Sequence, residues 1–245
     1  MMNRADIMTN SIKLRTELKI NNQSLSISLL ASIVPNLTLV FFPMGERISG
    51  ICIKNTKTPL IALNSSMSKG RQLFSFAHEL FHLYYDNTNV SSVSVSHNDN
   101  TNEIEKAADQ FASLFLMPED MLTTQIEMLG TKKLTIDHIV KLEQTFNVSR
   151  QAILNRLLAG KYIKDSEKND FSINVIQSAV RLGYSDELYR PNPVDNQYST
   201  YGEYIKITTK LLENDKISNG LYEELLLNAY RSDLVYGVEE ESLDV

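Results

Sequence analysis

The chain of 245 residues has one cysteine, no tryptophan and only four histidines. A single cysteine excludes a disulfide framework and a cysteine-based zinc site, and it fits a reducing cytoplasm. Cys52 sits in the apolar stretch Gly50-Ile51-Cys52-Ile53, so a buried, inert thiol is expected. The first twenty residues are polar and mixed in charge, without the apolar segment of a signal peptide. The longest strongly apolar run, residues 37–44, is far too short to span a bilayer. A soluble cytoplasmic protein with no membrane association is therefore expected. Neither an internal repeat nor a low-complexity segment is present.

The net charge is −6, which disfavours general adhesion to nucleic acid. Its distribution is uneven. Residues 132–164 hold seven Lys and Arg against two acidic residues, a local charge of +5 that leaves −11 on the remainder. The length suits one large domain or two modest ones, with enough chain to bury a core without covalent staples.

What stands out is Phe74-Ser75-Phe76-Ala77-His78-Glu79-Leu80-Phe81-His82-Leu83-Tyr84, which contains H-E-x-x-H. Histidines four apart on a helix project from one face, one turn above the other. Their imidazoles can converge on one tetrahedral zinc at about 2.0–2.1 Å. Glu79, beside the first of them, can stand next to a metal-bound water and take its proton. Apolar residues at 73, 76, 77, 80, 81, 83 and 84 bury most of this helix. Two satisfied histidines in a core helix would read the same way, so a third ligand has to decide.

Around this stretch the pattern is α+β and mostly helical. Helix-like spacing covers residues 4–19 and 24–34, and strand-like runs cover 37–42, 48–53 and 60–63. A small antiparallel sheet beside the zinc-motif helix, 67–85, is expected. Residues 87–102 read as a solvated loop, with His97 a surface histidine inside it. Helices are expected at 103–117, 119–128, 135–145 and 149–159. A polar linker at 161–170 leads to helices near 171–182, 200–214 and 218–231, and to an acidic tail at Glu239-Glu240-Glu241. This divides the chain into a core, 1–164, and a helical C-terminal region, 165–245.

The third ligand is sought downstream. A metzincin would continue with glycine and histidine where Tyr85 and Thr88 stand, so that class is excluded. Glu105-Lys106-Ala107-Ala108-Asp109 instead supplies E-x-x-x-D, whose spacing puts both carboxylates on one helix face. Glu105 can complete a His-His-Glu site with the fourth position left to water. Asp109 can accept the free ring N–H of a histidine ligand and fix its tautomer. Ala107 and Ala108 allow close packing on the zinc-motif helix. Glu103 is the competitor, on the far face if Ala107 and Phe111 point inward.

These motifs in order, F-A-H-E-L-x-H, then E-x-x-A-[ND]-x-F-A, then Leu116-Met117-Pro118, resemble the signature of the ImmA/IrrE family of metallo-endopeptidases. The resemblance covers roughly residues 5–160. It implies a minimal gluzincin-like protease core, Zn²⁺ on His78, His82 and Glu105, and Glu79 as the catalytic base. It also implies a substrate class, namely helix-turn-helix repressors or antitoxins of mobile elements or stress regulons, often encoded beside the protease. Phe81 departs from the family's usual small residue, and its ring would either narrow the cleft or pack on the 87–102 loop.

Two other readings compete. Residues 135–159 have helix-turn-helix cadence in the basic region, so direct DNA binding is an alternative, although Ile139, Leu142, Phe146, Val148, Ile153, Leu157 and Leu158 equally explain the segment as packing. A zinc-bearing toxin or sensor acting by protein binding, with little or no proteolysis, is the other. Eight of the 11 tyrosines fall between 184 and 236, which suits either an interface or a small helical core.

Overall fold

The computed structural model describes residues 2–54, 57–87, 91–95, 103–131 and 133–237. Helix α1 is Arg4–Glu17, started by a capping box in which Asn3 accepts from the Asp6 N–H and Asp6 accepts from the Asn3 N–H. Helix α2, Ile27–Ile33, starts at Ser26 and stops before Pro35. Strands β1 (Thr38–Phe42), β2 (Ile48–Ile53) and β3 (Leu60–Asn64) follow, then helix α3 (Lys69–Tyr85), strand β4 (Ser91–Val95) and helix α4 (Glu103–Leu116). Beyond these come α5 (Glu119–Met128), α6 (Ile136–Phe146), α7 (Arg150–Ala159), α8 (Asp165–Phe171) and α9 (Val175–Arg181). The C-terminal elements are β5 (Ser199–Gly202), α10 (Glu203–Glu213), α11 (Asn219–Asn228) and α12 (Ser232–Tyr236). The α+β, mostly helical class read from the sequence is the one observed.

The sheet departs from the expected antiparallel one. Its order is β4-β2-β3-β1-β5, and β1 runs parallel to β3, with Val40 opposite Ala62. The β2–β3 hairpin is antiparallel, but β3 returns between β2 and β1, which forces the parallel pair. Central position explains why Ile61, Ala62, Leu63 and Asn64 are all buried. The expected loop at 87–102 contains β4, paired antiparallel with β2. Its alternation is inverted: Ser92 and Ser94 face inward while Val93 is 51 % exposed, so no apolar period marks it as a strand. His97 and the tail at 239–241 lie outside the described residues.

The C-terminal region also differs from its reading. A strand, β5, precedes α10 where one helix was expected, and it closes the sheet against β1. Gly202 allows the exit from β5: it has φ +88°, and a Cβ there would lie 2.2 Å from the Leu37 carbonyl oxygen. The expected linker at 161–170 holds the short exposed helix α8, whose Lys164 N–H is capped by Glu167.

One apolar core joins α1, α3, α4, α6 and α7 to the inner face of the sheet, with Leu14, Ile61, Phe76, Leu80, Phe111, Phe115 and Phe146 fully enclosed. Phe81 belongs to it. Its ring lies 5.7 Å from that of Phe111 and 6.1 Å from that of Tyr85, and it is 3 % exposed. The bulky residue therefore fills the α3–α4 interface.

The helix-turn-helix-like pair is built into this core. Asn147 turns the chain in the left-handed conformation at φ 55°, and the Ser149 hydroxyl caps α7. On α7, Arg150, Ala152, Ile153, Leu154, Arg156 and Leu157 are buried. Two residues counted as basic surface are thus internal: Arg150 pairs with buried Glu143, and Arg156 binds the Met117 carbonyl at 3.0 Å and Glu119 at 2.7 Å.

Candidate metal centre

Helix α3 carries His78, Glu79 and His82 on its buried side, and α4 lies against it across the small residues Ala107 and Ala108. This packing brings Glu105 over both imidazoles. Glu105 Oε2 is 3.1 Å from His78 Nε2, Glu105 Oε1 is 3.4 Å from His82 Nε2, and the two Nε2 atoms are 3.2 Å apart. Ligand atoms at about 2.0–2.1 Å around a tetrahedral zinc stand roughly 3.3 Å from one another. The three donors therefore have the spacing of a coordination face.

The outer ring nitrogens strengthen this. His78 Nδ1 lies 2.8 Å from Asp109 Oδ1, and His82 Nδ1 lies 3.1 Å from Asp86 Oδ2. Each carboxylate calls for an N–H on the Nδ1 it faces, which leaves the lone pair on Nε2. Two lone pairs and a carboxylate then converge with no donor among them. A cation satisfies that arrangement; in its absence a proton must. Burial alone would lower the His78 pKa, but hydrogen bonds to Asp109 and Glu105 raise it to about 10. Burial likewise opposes ionisation of Glu105, yet hydrogen bonds from His78 and His82 hold it down at about 2.

Glu79 stands beside this cluster and is wholly buried. Burial raises its pKa, against the pull of His78, of a hydrogen bond from Ser94 and of His82. Its Oε2 accepts from the Ser92 hydroxyl at 3.5 Å, at the limit of a hydrogen bond. A buried carboxyl group of raised pKa next to a converging donor set is a candidate for proton transfer.

All the sequence-named residues meet here: His78, His82 and Glu105 form one metal-competent cluster, with Asp109 on His78 and Glu79 alongside. Glu103 is exposed and pairs with Lys106 at 3.2 Å, on the other side of α4. His138 is remote and accepts from the Thr135 N–H at the start of α6. The Tyr85 hydroxyl is spent on the Asn10 carbonyl at 2.9 Å, and the Cys52 thiol is buried, its pKa pushed up to about 12. Sequence reasoning missed Asp86, although it follows His82 at the same spacing of four. It also missed Gly50 and Ser92, which touch Glu79 from the sheet and carry no signal of their own.

A helix bearing H-E-x-x-H, a second helix supplying a carboxylate and a sheet alongside define a metallopeptidase-type protein. Residues 35–158 match the peptidase M78 family, the IrrE N-terminal-like domain, and the chain belongs to that family. None of the curated proteins compared with the chain matches it. Among the described residues, no helix is long and apolar enough to cross a membrane.

Proposed function

We propose that the protein is a cytoplasmic zinc-dependent endopeptidase. The observation that carries this is the donor set of His78, His82 and Glu105 at 3.1–3.4 Å spacing, beside the buried carboxyl group of Glu79. His78, His82 and Glu105 would hold the metal. Zinc, when bound, supplies Lewis acidity that acidifies a water and polarises a scissile carbonyl. Glu79 accepts the water proton on a carboxylate oxygen and passes it to the leaving amine nitrogen. Asp109 keeps the His78 lone pair on Nε2.

The substrate class we assign is a helix-turn-helix repressor or antitoxin encoded nearby, on the strength of the family membership. A zinc-bearing toxin or sensor acting through protein contacts is the alternative, and the complete catalytic set weighs against it. Direct reading of DNA through residues 135–159 finds little support in the fold. The second helix of that pair exposes only Gln151, Asn155 and Ala159, a narrow stripe without a cation for the phosphates.

The test is co-expression of the protein with the neighbouring repressor-like protein, alongside a Glu79→Gln form that retains zinc. Cleavage by the first and not the second supports the proposal. Equal cleavage by both defeats the role of Glu79, and binding without cleavage by either points to the alternative.

A further inference from the structure

Resting on the zinc reading of the site, we propose that Asp86, clamped by Lys54, is the positioning residue for the ligand His82. The two histidines are supported differently. His78 leans on Asp109, whose side chain is 49 % exposed, while His82 leans on Asp86 with both side chains 1 % exposed. A carboxylate so enclosed is costly unless a cation and further hydrogen bonds compensate. Lys54, the residue after β2, supplies both. Its ammonium lies 3.5 Å from Asp86 Oδ2 and also donates to the Asp86 backbone carbonyl. Asp86 itself ends α3, its N–H bonded to the Phe81 carbonyl at 3.2 Å, so its backbone is fixed as well.

The chemistry follows from the charges. With Nδ1–H committed to Asp86, His82 presents only Nε2 toward Glu105 and His78, and the anion behind the ring makes that nitrogen a better donor to a cation. Lys54 holds the carboxylate in place without reaching the imidazole. The same strand that carries Gly50 against Glu79 thus also sets the orientation of a ligand, through the residue at its end. The full pattern on this chain is H-E-x-x-H-x-x-x-D, with a basic residue closing β2.

The experiment is a zinc titration of the full chain against a chromophoric chelator, for wild type, Asp86→Asn, Asp86→Ala and Lys54→Met. Removing the carboxylate should weaken zinc binding roughly 10- to 100-fold. Lys54→Met, which keeps the carboxylate but frees it, should give a smaller loss. In the zinc-loaded wild type, NMR should show a downfield His82 ring N–H proton, and Asp86→Ala should abolish that signal while the His78 signal stays. A purely structural role for Asp86 would not move that proton selectively. Should Asp86→Ala fail to fold, the charge-neutral double variant Asp86→Asn with Lys54→Met serves in its place, with the same expected loss of affinity. Zinc affinity and ring signal unchanged in the Asp86 variants overturn the role alone. A wild-type chain that takes up no zinc overturns the zinc reading and the role with it.

Discussion

A Cβ placed on Gly50 would lie 2.7 Å from Oε1 of Glu79 and 3.1 Å from its Cγ. The proposed base therefore occupies the volume that a side chain on β2 would take. Glycine at this position creates room; its backbone angle is an ordinary one.

Gly50→Ala should accordingly displace the Glu79 carboxylate without touching a ligand. Peptide hydrolysis is expected to fall about 10- to 100-fold, as for a misplaced reacting group, with zinc stoichiometry unchanged by metal analysis. Full activity in the zinc-loaded variant would falsify the placement of the base.

Zinc affinity should rise with pH, and the sign follows from His78. Its pKa is raised from 6.5 to about 10 in the metal-free protein, so the folded chain binds that proton more tightly than the unfolded chain does. The stabilisation is complete below about pH 6.5 and is lost as pH climbs toward 10. Zinc has to displace the same proton, so apparent affinity should increase about tenfold per pH unit across neutral pH. The metal-free protein should meanwhile melt at a lower temperature at pH 10 than at pH 7. Affinity titrations at three pH values and paired melting curves read both slopes.

Glu105→Ala removes the only carboxylate of the donor face and leaves the two Nε2 lone pairs 3.2 Å apart. Stoichiometric zinc should be lost on dialysis, while Glu103→Ala, altering an exposed pair with Lys106, should bind as wild type does. Metal analysis of the two variants separates the competing glutamates.

The Glu143–Arg150 pair is enclosed, Arg150 also reaching the Phe171 carbonyl at 2.7 Å and Ser178 at 2.8 Å, and Tyr189 donating to Glu143 at 2.8 Å. Arg150→Met strands a buried carboxylate, at a cost of about 3–5 kcal/mol. Thermal melting should register a drop of roughly 6–20 °C. A change within a degree or two would mean that Glu143 is already protonated in the folded protein.

Removal of residues 165–245 should affect more than partner recognition. It deletes β5, exposing the edge of β1, and takes Tyr189 from Glu143. An unpaired, apolar strand edge promotes association. The truncated chain is expected to elute as aggregate in size-exclusion chromatography, where the full chain is not.

The legible parts of the molecule were those governed by helical spacing. His78 and His82, and then Glu105 and Asp109, follow from i, i+4 geometry, and the small Ala107 and Ala108 indicate the close approach of α3 and α4. Strand β4 was hidden because its inward residues are serines, facing a buried glutamate where an apolar core would usually lie. The parallel β1–β3 pair was hidden because turn residues mark where strands end and say nothing about which strand lies beside which. Arg150 and Arg156 show the limit of counting charge, since both lie inside, Arg150 on buried Glu143 and Arg156 on the Met117 carbonyl and the partly exposed Glu119. Gly50 was invisible because only the fold shows what a missing Cβ makes room for.

Strand β5 reaches β1 from well over a hundred residues downstream, so the sheet acquires its last strand late in synthesis. At about 5–20 residues per second, the ribosome delivers Ser199–Gly202 roughly 7–27 s after β3 has been made. His78, Glu79, His82 and Glu105 have all been made well before that. A nascent chain can therefore assemble the metal centre while β1 still has an open edge, which is sealed only once β5 has been made.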